Sequence, residues 1–320
     1  MPAGSMGTFH VVSRCVRREF LLERDGRRER LAQGLARWLP HVGLDLHAYA
    51  IMSNHVHLVL RLRPDRVAGW DAVTVARHAL AVMPARTGLD RSALPVSPEV
   101  VARHASQEGW VAQQRERLST PSWLMRLMKQ EIALHANRRE GCSGHFWESR
   151  YHSTALLDLS AVIACMIYVD LNPVRAGLVT APEQAELCSA RHRAAQAGGR
   201  SCDATAADAA LGALLVPISA SAPVCPLGGA AQPCELDARS YLVALDASGR
   251  QVAAGKRGSI PAELAGILDR LGFTAEAWLG AMARGGAMLG TALGAPAIRH
   301  TFAARTGMSW CADSSGLWVA

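Results

Sequence analysis

Two short motifs, far apart in the chain, carry residue types that could act together on a phosphodiester. The first is a pair of histidines, His55 and His57, separated by one valine. The second is Tyr168 and Asn172, separated by three residues and followed by a proline. Alternate residues of a strand share a face, and so do residues four apart on a helix. Each motif therefore presents its two functional groups together.

The four side chains could form a metal site beside a nucleophile. A divalent cation held by His55, His57 and the Asn172 carboxamide would keep open positions for phosphate oxygens and act as a Lewis acid. Nitrogen and oxygen ligands without thiolate suit Mg²⁺ or Mn²⁺. The Tyr168 hydroxyl could then attack the phosphorus and form a covalent phosphotyrosine.

Both motifs also have interpretations without chemistry. With 12 histidines in the chain, a chance His-x-His is common, and the pair could lie on a solvated strand face. Tyr168 could pack through its ring alone while Asn172 caps the helix end. Tyr151 is a second candidate nucleophile, but Ala155 stands where a ligand residue would follow it. We therefore interpret Tyr151 as structural or DNA-contacting.

Hydrophobic periodicity predicts the elements that position these residues. The predicted strands cover 9–13, 44–52 and 55–62, and 146–157 is predicted to be extended. The predicted helices cover 27–39, a segment from 122, and a segment that Ser160 caps and that runs to about 171.

Composition divides the chain into regions. Both motifs fall in a predicted domain over 8–195, which carries an insertion over 64–120. Residues 196–235 are rich in Ala, Gly, Ser and Pro, which is typical of a linker. A smaller, mainly helical accessory region is predicted over 236–320. Its candidate helices are Pro261–Leu271 and Ala275–Met282.

The charge of the chain favours an anionic partner. The net charge is +7, and 32 of the 34 basic residues are arginine, which binds phosphate oxygens in a bidentate way. A GC-rich genome would produce the same arginine bias without a function.

None of the 8 cysteines forms a Cys-x-x-Cys pair, so the sequence does not indicate a zinc ribbon. With no signal-peptide pattern and no apolar run long enough to span a bilayer, we expect a cytoplasmic protein with no membrane partner.

The motifs resemble those of the REP-associated tyrosine transposases, within the HUH single-tyrosine transposase superfamily (transposase IS200-like domain). The matching stretches are His10–Arg14, Ala48–Leu58, Phe146–Tyr151 and Tyr168–Val179. Three features depart from the family pattern. Cys15-Val16 stands where Gly-Asn is usual, the 64–120 segment is longer than in compact members, and the tail from 196 has no counterpart in them.

The resemblance implies an α+β fold, a ferredoxin-like βαββαβ antiparallel sheet with added helices, followed here by the smaller helical region. It implies that His55, His57 and Asn172 are the metal ligands and that Tyr168 is the catalytic nucleophile. The implied substrate is single-stranded, hairpin-forming DNA, cleaved to a 5′-phosphotyrosine and a free 3′-OH.

We therefore expect a metal-dependent DNA transposase, a nickase and strand transferase that works as a monomer or homodimer. One alternative is a non-catalytic, domesticated DNA-binding regulator descended from such an enzyme. Another is a zinc hydrolase built on His55 and His57, which would need a third histidine or a carboxylate and would form no covalent adduct.

Overall fold

The computed structural model describes most of the N-terminal two thirds of the chain and parts of the remainder. The described residues are 6–83, 96–179, 181–197, 203–218, 236, 238–252, 292–293 and 296–306. The candidate helices over 261–271 and 275–282 lie outside them. No helix within these ranges is long and apolar enough to cross a membrane.

Strands and helices alternate through the first 170 residues. The strands are β1 (Gly7–Arg14), β2 (Leu44–Ile51), β3 (His55–Leu62), β4 (His152–Leu156) and β5 (Ala292–Leu293). The helices are α1 (Arg27–Trp38), α2 (Pro64–Ala68), α3 (Ala72–Val82), α4 (Pro98–Ala105), α5 (Glu108–Leu118), α6 (Pro121–Glu140), α7 (Leu159–Asp170), α8 (Asn172–Arg175), α9 (Ser189–Ala197), α10 (Ala206–Gly212), α11 (Ala238–Val252) and α12 (Pro296–Thr306).

The sheet has the strand order that a ferredoxin-like fold requires. Its order is β2-β3-β1-β4-β5, and the first four strands pair antiparallel. With α1 between β1 and β2, and α6 between β3 and β4, the chain follows the βαββαβ order. The predicted α+β, ferredoxin-like class is confirmed. The two-residue β5 adds a short parallel edge to β4.

Both faces of the sheet are covered, which the sequence did not predict. Val56, Leu58 and Leu60 of β3 join a core with residues of α1 and α6. On the opposite face, Ala48 and Val59 pack with α7 in a second core. The histidine-bearing face of β3 is therefore not a solvated surface, because α7 lies over it.

Of two local predictions around α7, one is confirmed in part and the other is wrong. The extended segment predicted over 146–157 is a strand only from His152 to Leu156. The helix cap is Asp158 and not Ser160, because the Asp158 carboxylate accepts a hydrogen bond of 2.8 Å from the Ala161 backbone N–H. A carboxylate at this position also interacts favourably with the positive end of the helix dipole.

Part of the predicted linker is packed structure. Helix α10 lies against α1, and Leu211 is completely buried in the first core. In the C-terminal region, Tyr241 of α11 is buried against α7, and its hydroxyl donates to Asp170 Oδ2 at 2.7 Å. The domain boundaries at 195 and 235 stay predictions, but the described residues beyond 195 contribute directly to both cores.

The Tyr241 contact generates a stability prediction. Tyr241→Phe removes a hydrogen bond to a fully buried carboxyl, so we expect the free energy of unfolding to fall by about 1–3 kcal/mol. Urea unfolding followed by circular dichroism would measure it. Tyr151→Phe is the matched control, since it removes a hydroxyl whose 2.7 Å hydrogen bond with Ser122 is exposed. Equal losses in both variants would contradict the role of Tyr241.

Candidate functional site

The pairing of β1 with β3 brings chemistry-bearing side chains to one face of the sheet. In this register Arg14 lies opposite His55, and Val12 lies opposite His57. Residues of one strand that are two apart share a face, so His10 joins this set. The face therefore carries three imidazoles and one guanidinium group at the end of the sheet where β3 begins.

Hydrogen bonds fix the orientation of both histidines of the motif. His57 Nδ1 lies 2.9 Å from Nε2 of His10, and the two rings stack at 5.1 Å between centroids with 12° between their planes. His55 Nδ1 lies 2.6 Å from the Asn54 carboxamide oxygen, which can only accept, so the His55 nitrogen donates. A histidine that donates from Nδ1 keeps a lone pair on Nε2, as a metal ligand must.

His57 is buried with a ring nitrogen that nothing satisfies. Its exposure is 2%, and its Nε2 has no hydrogen-bond partner among the described residues. Burial lowers the pKa of His57 well below its usual value, and the charges on Arg14 and Arg175 act in the same direction. The imidazole is therefore neutral at pH 7, with an unused position that suits a metal ion.

His55 is also held neutral. Burial, followed by the Arg14 charge, lowers the pKa of His55 to about 4. Its ring lies 4.7 Å from that of His57, edge to face. Histidine binds metal as the neutral imidazole, and both adjacent rings are in this form.

Tyr168 meets the imidazoles from the opposite layer. It lies in α7, and its ring is edge-on to His10 at 5.9 Å and to His57 at 5.8 Å between centroids. Arg175 of α8 lies over the tyrosine ring at 4.9 Å. Burial raises the pKa of the Tyr168 hydroxyl, while the charges on Arg175 and Arg14 oppose that rise.

Asn172 lies one turn beyond Tyr168, where α8 begins. Its carboxamide nitrogen donates to the Tyr168 carbonyl at 2.9 Å. Because only the nitrogen can donate to a carbonyl, the amide oxygen is the atom left for a ligand. The structure thus brings His55, His57 and Tyr168 ring to ring. It holds Asn172 on the helix end, and its role as third ligand stays a prediction.

Few kinds of side chain are available as metal ligands at this site. Within the described parts of the chain, no group of three or more His, Cys, Asp or Glu side chains is placed to hold a metal ion. His10 is close, but its Nε2 is engaged with His57. Two imidazoles and an amide oxygen would leave coordination positions open, unlike a structural zinc site, which uses four protein ligands.

Tyr151 lies outside the imidazole cluster. Its hydroxyl shares a hydrogen bond with Ser122 at the start of α6, and its ring packs against the first core. This agrees with its interpretation as a structural residue.

Sequence reasoning missed three members of the site, namely His10, Arg14 and Arg175. Two signals could have found them. His10 and Arg14 lie four residues apart on one face of β1, the strand that pairs with β3. Arg175 follows Tyr168 by seven residues, or two helical turns. The missing information was the strand register, which periodicity alone does not give.

A protein-family model matches the part of the chain that carries the two histidines. Residues 5–68, which span β1 to β3 and include both histidines, match the family model described as Transposase IS200 like. The match covers about a fifth of the chain. Over this segment it confirms the resemblance to IS200-like transposases that the motifs predicted.

A solved structure is also similar to the chain. It is described as "Structure of the REP associates tyrosine transposase bound to a REP hairpin", and it matches at 14% identity and a TM-score of 0.33. The match covers 64% of this chain and 88% of that chain. The ferredoxin-like fold is assigned from the strand order β2-β3-β1-β4 and not from this match. Among curated proteins, no sequence matches.

The His10 contact predicts a change in metal affinity. His10→Phe keeps a stacked ring but removes the acceptor that orients His57, so we expect Mn²⁺ affinity to fall about 10- to 100-fold. His10→Gln, whose amide oxygen can accept the same hydrogen bond, should recover part of the loss. Isothermal titration with Mn²⁺ would measure both. Unchanged affinity in His10→Phe would contradict the orienting role.

Proposed function

We propose that this protein is a metal-dependent DNA nickase and strand transferase that acts on single-stranded, hairpin-forming DNA through a covalent 5′-phosphotyrosine. The observation that carries the proposal is the approach of the Tyr168 ring to within 5.8 Å of His57, on a sheet face that also carries His55. A nucleophile-bearing residue beside two neutral imidazoles is the arrangement that such a reaction needs.

The chain's own residues account for substrate placement. Arg175 lies over the Tyr168 ring at 4.9 Å, and Arg14 lies opposite His55 in the strand pairing, so both bring positive charge to the site. A scissile phosphate in this position would be neutralised by the two guanidinium groups. Helix α7 covers the sheet face that carries the histidines, so His57 is only 2% exposed.

The covalent step follows from that placement. The Tyr168 oxygen forms a bond to phosphorus as the bond from phosphorus to the 3′ oxygen breaks. The phenol proton is lost, and the leaving 3′ oxygen gains a proton to give a 3′-OH. The 5′ phosphate stays on Tyr168. Attack of a 3′-OH on this phosphotyrosine reverses the bond changes and rejoins the strand.

In this proposal a divalent cation, Mg²⁺ or Mn²⁺, is held by His55, His57 and Asn172. When bound, it supplies Lewis-acid polarisation of the phosphate. Support comes from the buried His57 Nε2, which has no partner among the described residues, and from the low pKa of His55. A buried ring nitrogen without a partner is costly in the absence of a ligand.

The rival functions make different predictions. A non-catalytic regulator would bind the same DNA but form no adduct. A zinc hydrolase would need a third His, Cys, Asp or Glu ligand, and no such group occurs among the residues that the structure describes. We propose that the enzyme acts in the cytoplasm, and both a monomer and a homodimer fit the chemistry.

The nucleophile can be tested directly. Tyr168→Phe removes one oxygen and keeps the ring contacts, so we expect the fold to survive and the covalent adduct with a single-stranded hairpin oligonucleotide to disappear. A denaturing gel with Mg²⁺ or Mn²⁺ present would detect the adduct. Tyr151→Phe is the matched control and should form it normally. The opposite result would move the nucleophile to Tyr151.

The metal site can be tested separately from DNA binding. His55→Ala or His57→Ala should reduce cleavage to background, as should chelation of the metal in the unchanged protein. Hairpin binding should largely remain, because it rests mainly on phosphate and stacking contacts. Fluorescence anisotropy and a cleavage gel on the same samples would separate the two properties. Full cleavage by either variant would rule out the metal assignment.

A further inference from the structure

The connection between β1 and α1, residues 15–26, is anchored at both sides and exposed in the middle. We call it the 15–26 loop. Cys15 and Leu22 are completely buried. Between them, residues 17–20 are exposed, and Phe20 has 63% of its surface accessible. An aromatic ring is thus displayed to solvent between two core anchors.

The backbone of this exposed segment is unusual. Arg17 and Arg18 have φ values of 55° and 59°, in the left-handed region that residues with a Cβ rarely adopt. Two such residues in succession persist only where the surroundings impose the conformation. Such positions cluster at ligand-binding and active sites.

A chain of hydrogen bonds joins the loop to the candidate metal ligand. The Asn54 carboxamide nitrogen donates to the Arg18 carbonyl at 2.6 Å, and its oxygen accepts from His55 Nδ1 at 2.6 Å. The Leu22 backbone N–H donates to the Ser53 carbonyl at 2.9 Å. The loop that carries Phe20 is therefore fixed to the turn that precedes His55.

The chemistry of the exposed residues indicates the ligand. A flat aromatic face can stack on a nucleobase. Arg17 and Arg18, separated from Phe20 by the exposed Glu19, carry guanidinium groups that bind phosphates, on a chain whose net charge is +7. Bases inside a duplex are already stacked on their neighbours and offer no free face. The ring therefore suits an unpaired nucleotide.

We propose that Phe20 stacks on an unpaired base of the DNA next to the phosphodiester that is cleaved, and that Arg17 and Arg18 contact the flanking phosphates. This inference rests on the proposed function, since it assigns part of the substrate to a surface beside the same site. It makes the 15–26 loop the element that positions the unpaired flank of a hairpin.

The test uses the full chain and hairpin oligonucleotides with a single-stranded flank, in which 2-aminopurine replaces one flanking base at a time. Binding is measured by anisotropy in the presence of chelator, so that cleavage plays no part. We expect one flanking position to be quenched by the unchanged protein and by Phe20→Tyr. Phe20→Leu should lose the quenching and bind about 5- to 150-fold more weakly.

Three controls make the result specific. Val73→Ala also trims an exposed apolar residue, 43% accessible, on the inserted helices, and should bind normally. A blunt hairpin without the flank should bind Phe20→Leu and the unchanged protein equally. Replacing Arg17 and Arg18 by glutamine should reduce the salt dependence of binding, because phosphate contacts are lost.

The outcomes separate this inference from the proposed function. If the unchanged protein forms the covalent adduct but Phe20→Leu binds and quenches normally, the loop assignment is wrong and the function stands. If Phe20→Leu weakens binding to the blunt hairpin equally, or if no position is quenched, Phe20 does not stack on an unpaired base. In that case a protein partner becomes the better explanation of the exposed ring. If the unchanged protein does not bind the flanked hairpin, both proposals fail.

Discussion

Helix α7 packs its small and apolar side chains directly onto the sheet face that carries His55 and His57. Because Ala161, Ala164 and Cys165 are small, the helix can lie close to β2 and β3. This contact removes water from His57, which keeps its imidazole neutral, and it brings the Tyr168 ring against the imidazoles. The same helix therefore keeps the two proposed metal ligands neutral and positions the proposed nucleophile.

The position of α7 is itself determined by residues far along the chain. Asp170, two residues from Tyr168, is completely buried and accepts hydrogen bonds from Ser189 and from Tyr241 of α11. Burial raises the pKa of this carboxyl, while the nearby Arg193 charge lowers it. A segment that composition places outside the predicted catalytic domain thus supports the helix that carries Tyr168, the proposed nucleophile.

The strands and principal helices of the βαββαβ unit could be predicted because their periodicity is strong and their lengths are ordinary. The pairing of His55 with His57 on one strand face also followed from alternation alone. Burial of that face could not be predicted, since a strand with polar residues on alternate positions usually faces water, and only the packing of α7 reverses this. His10 required knowledge of which strand lies beside β3.

The region after residue 195 was harder for a related reason. Alanine, glycine and serine are frequent both in linkers and in helices that pack closely, so composition does not distinguish the two. The burial of Leu211 depends on contacts with α1, which lies more than 170 residues earlier in the chain. Such contacts leave no local periodic signal.

Strand β3 sets a distance between the imidazoles and the inserted helices. His55 begins the strand at the site, whereas Leu62 ends it about 23 Å away, at ~3.3 Å per residue. Helices α2 to α5 leave from that distant end, where some of their residues join the first core and Ala76, Leu80 and Val101 form a small separate cluster. Changes at the outer ends of these helices therefore lie far from the imidazoles. The same distance makes these outer ends a suitable place for an engineer to insert a reporter domain.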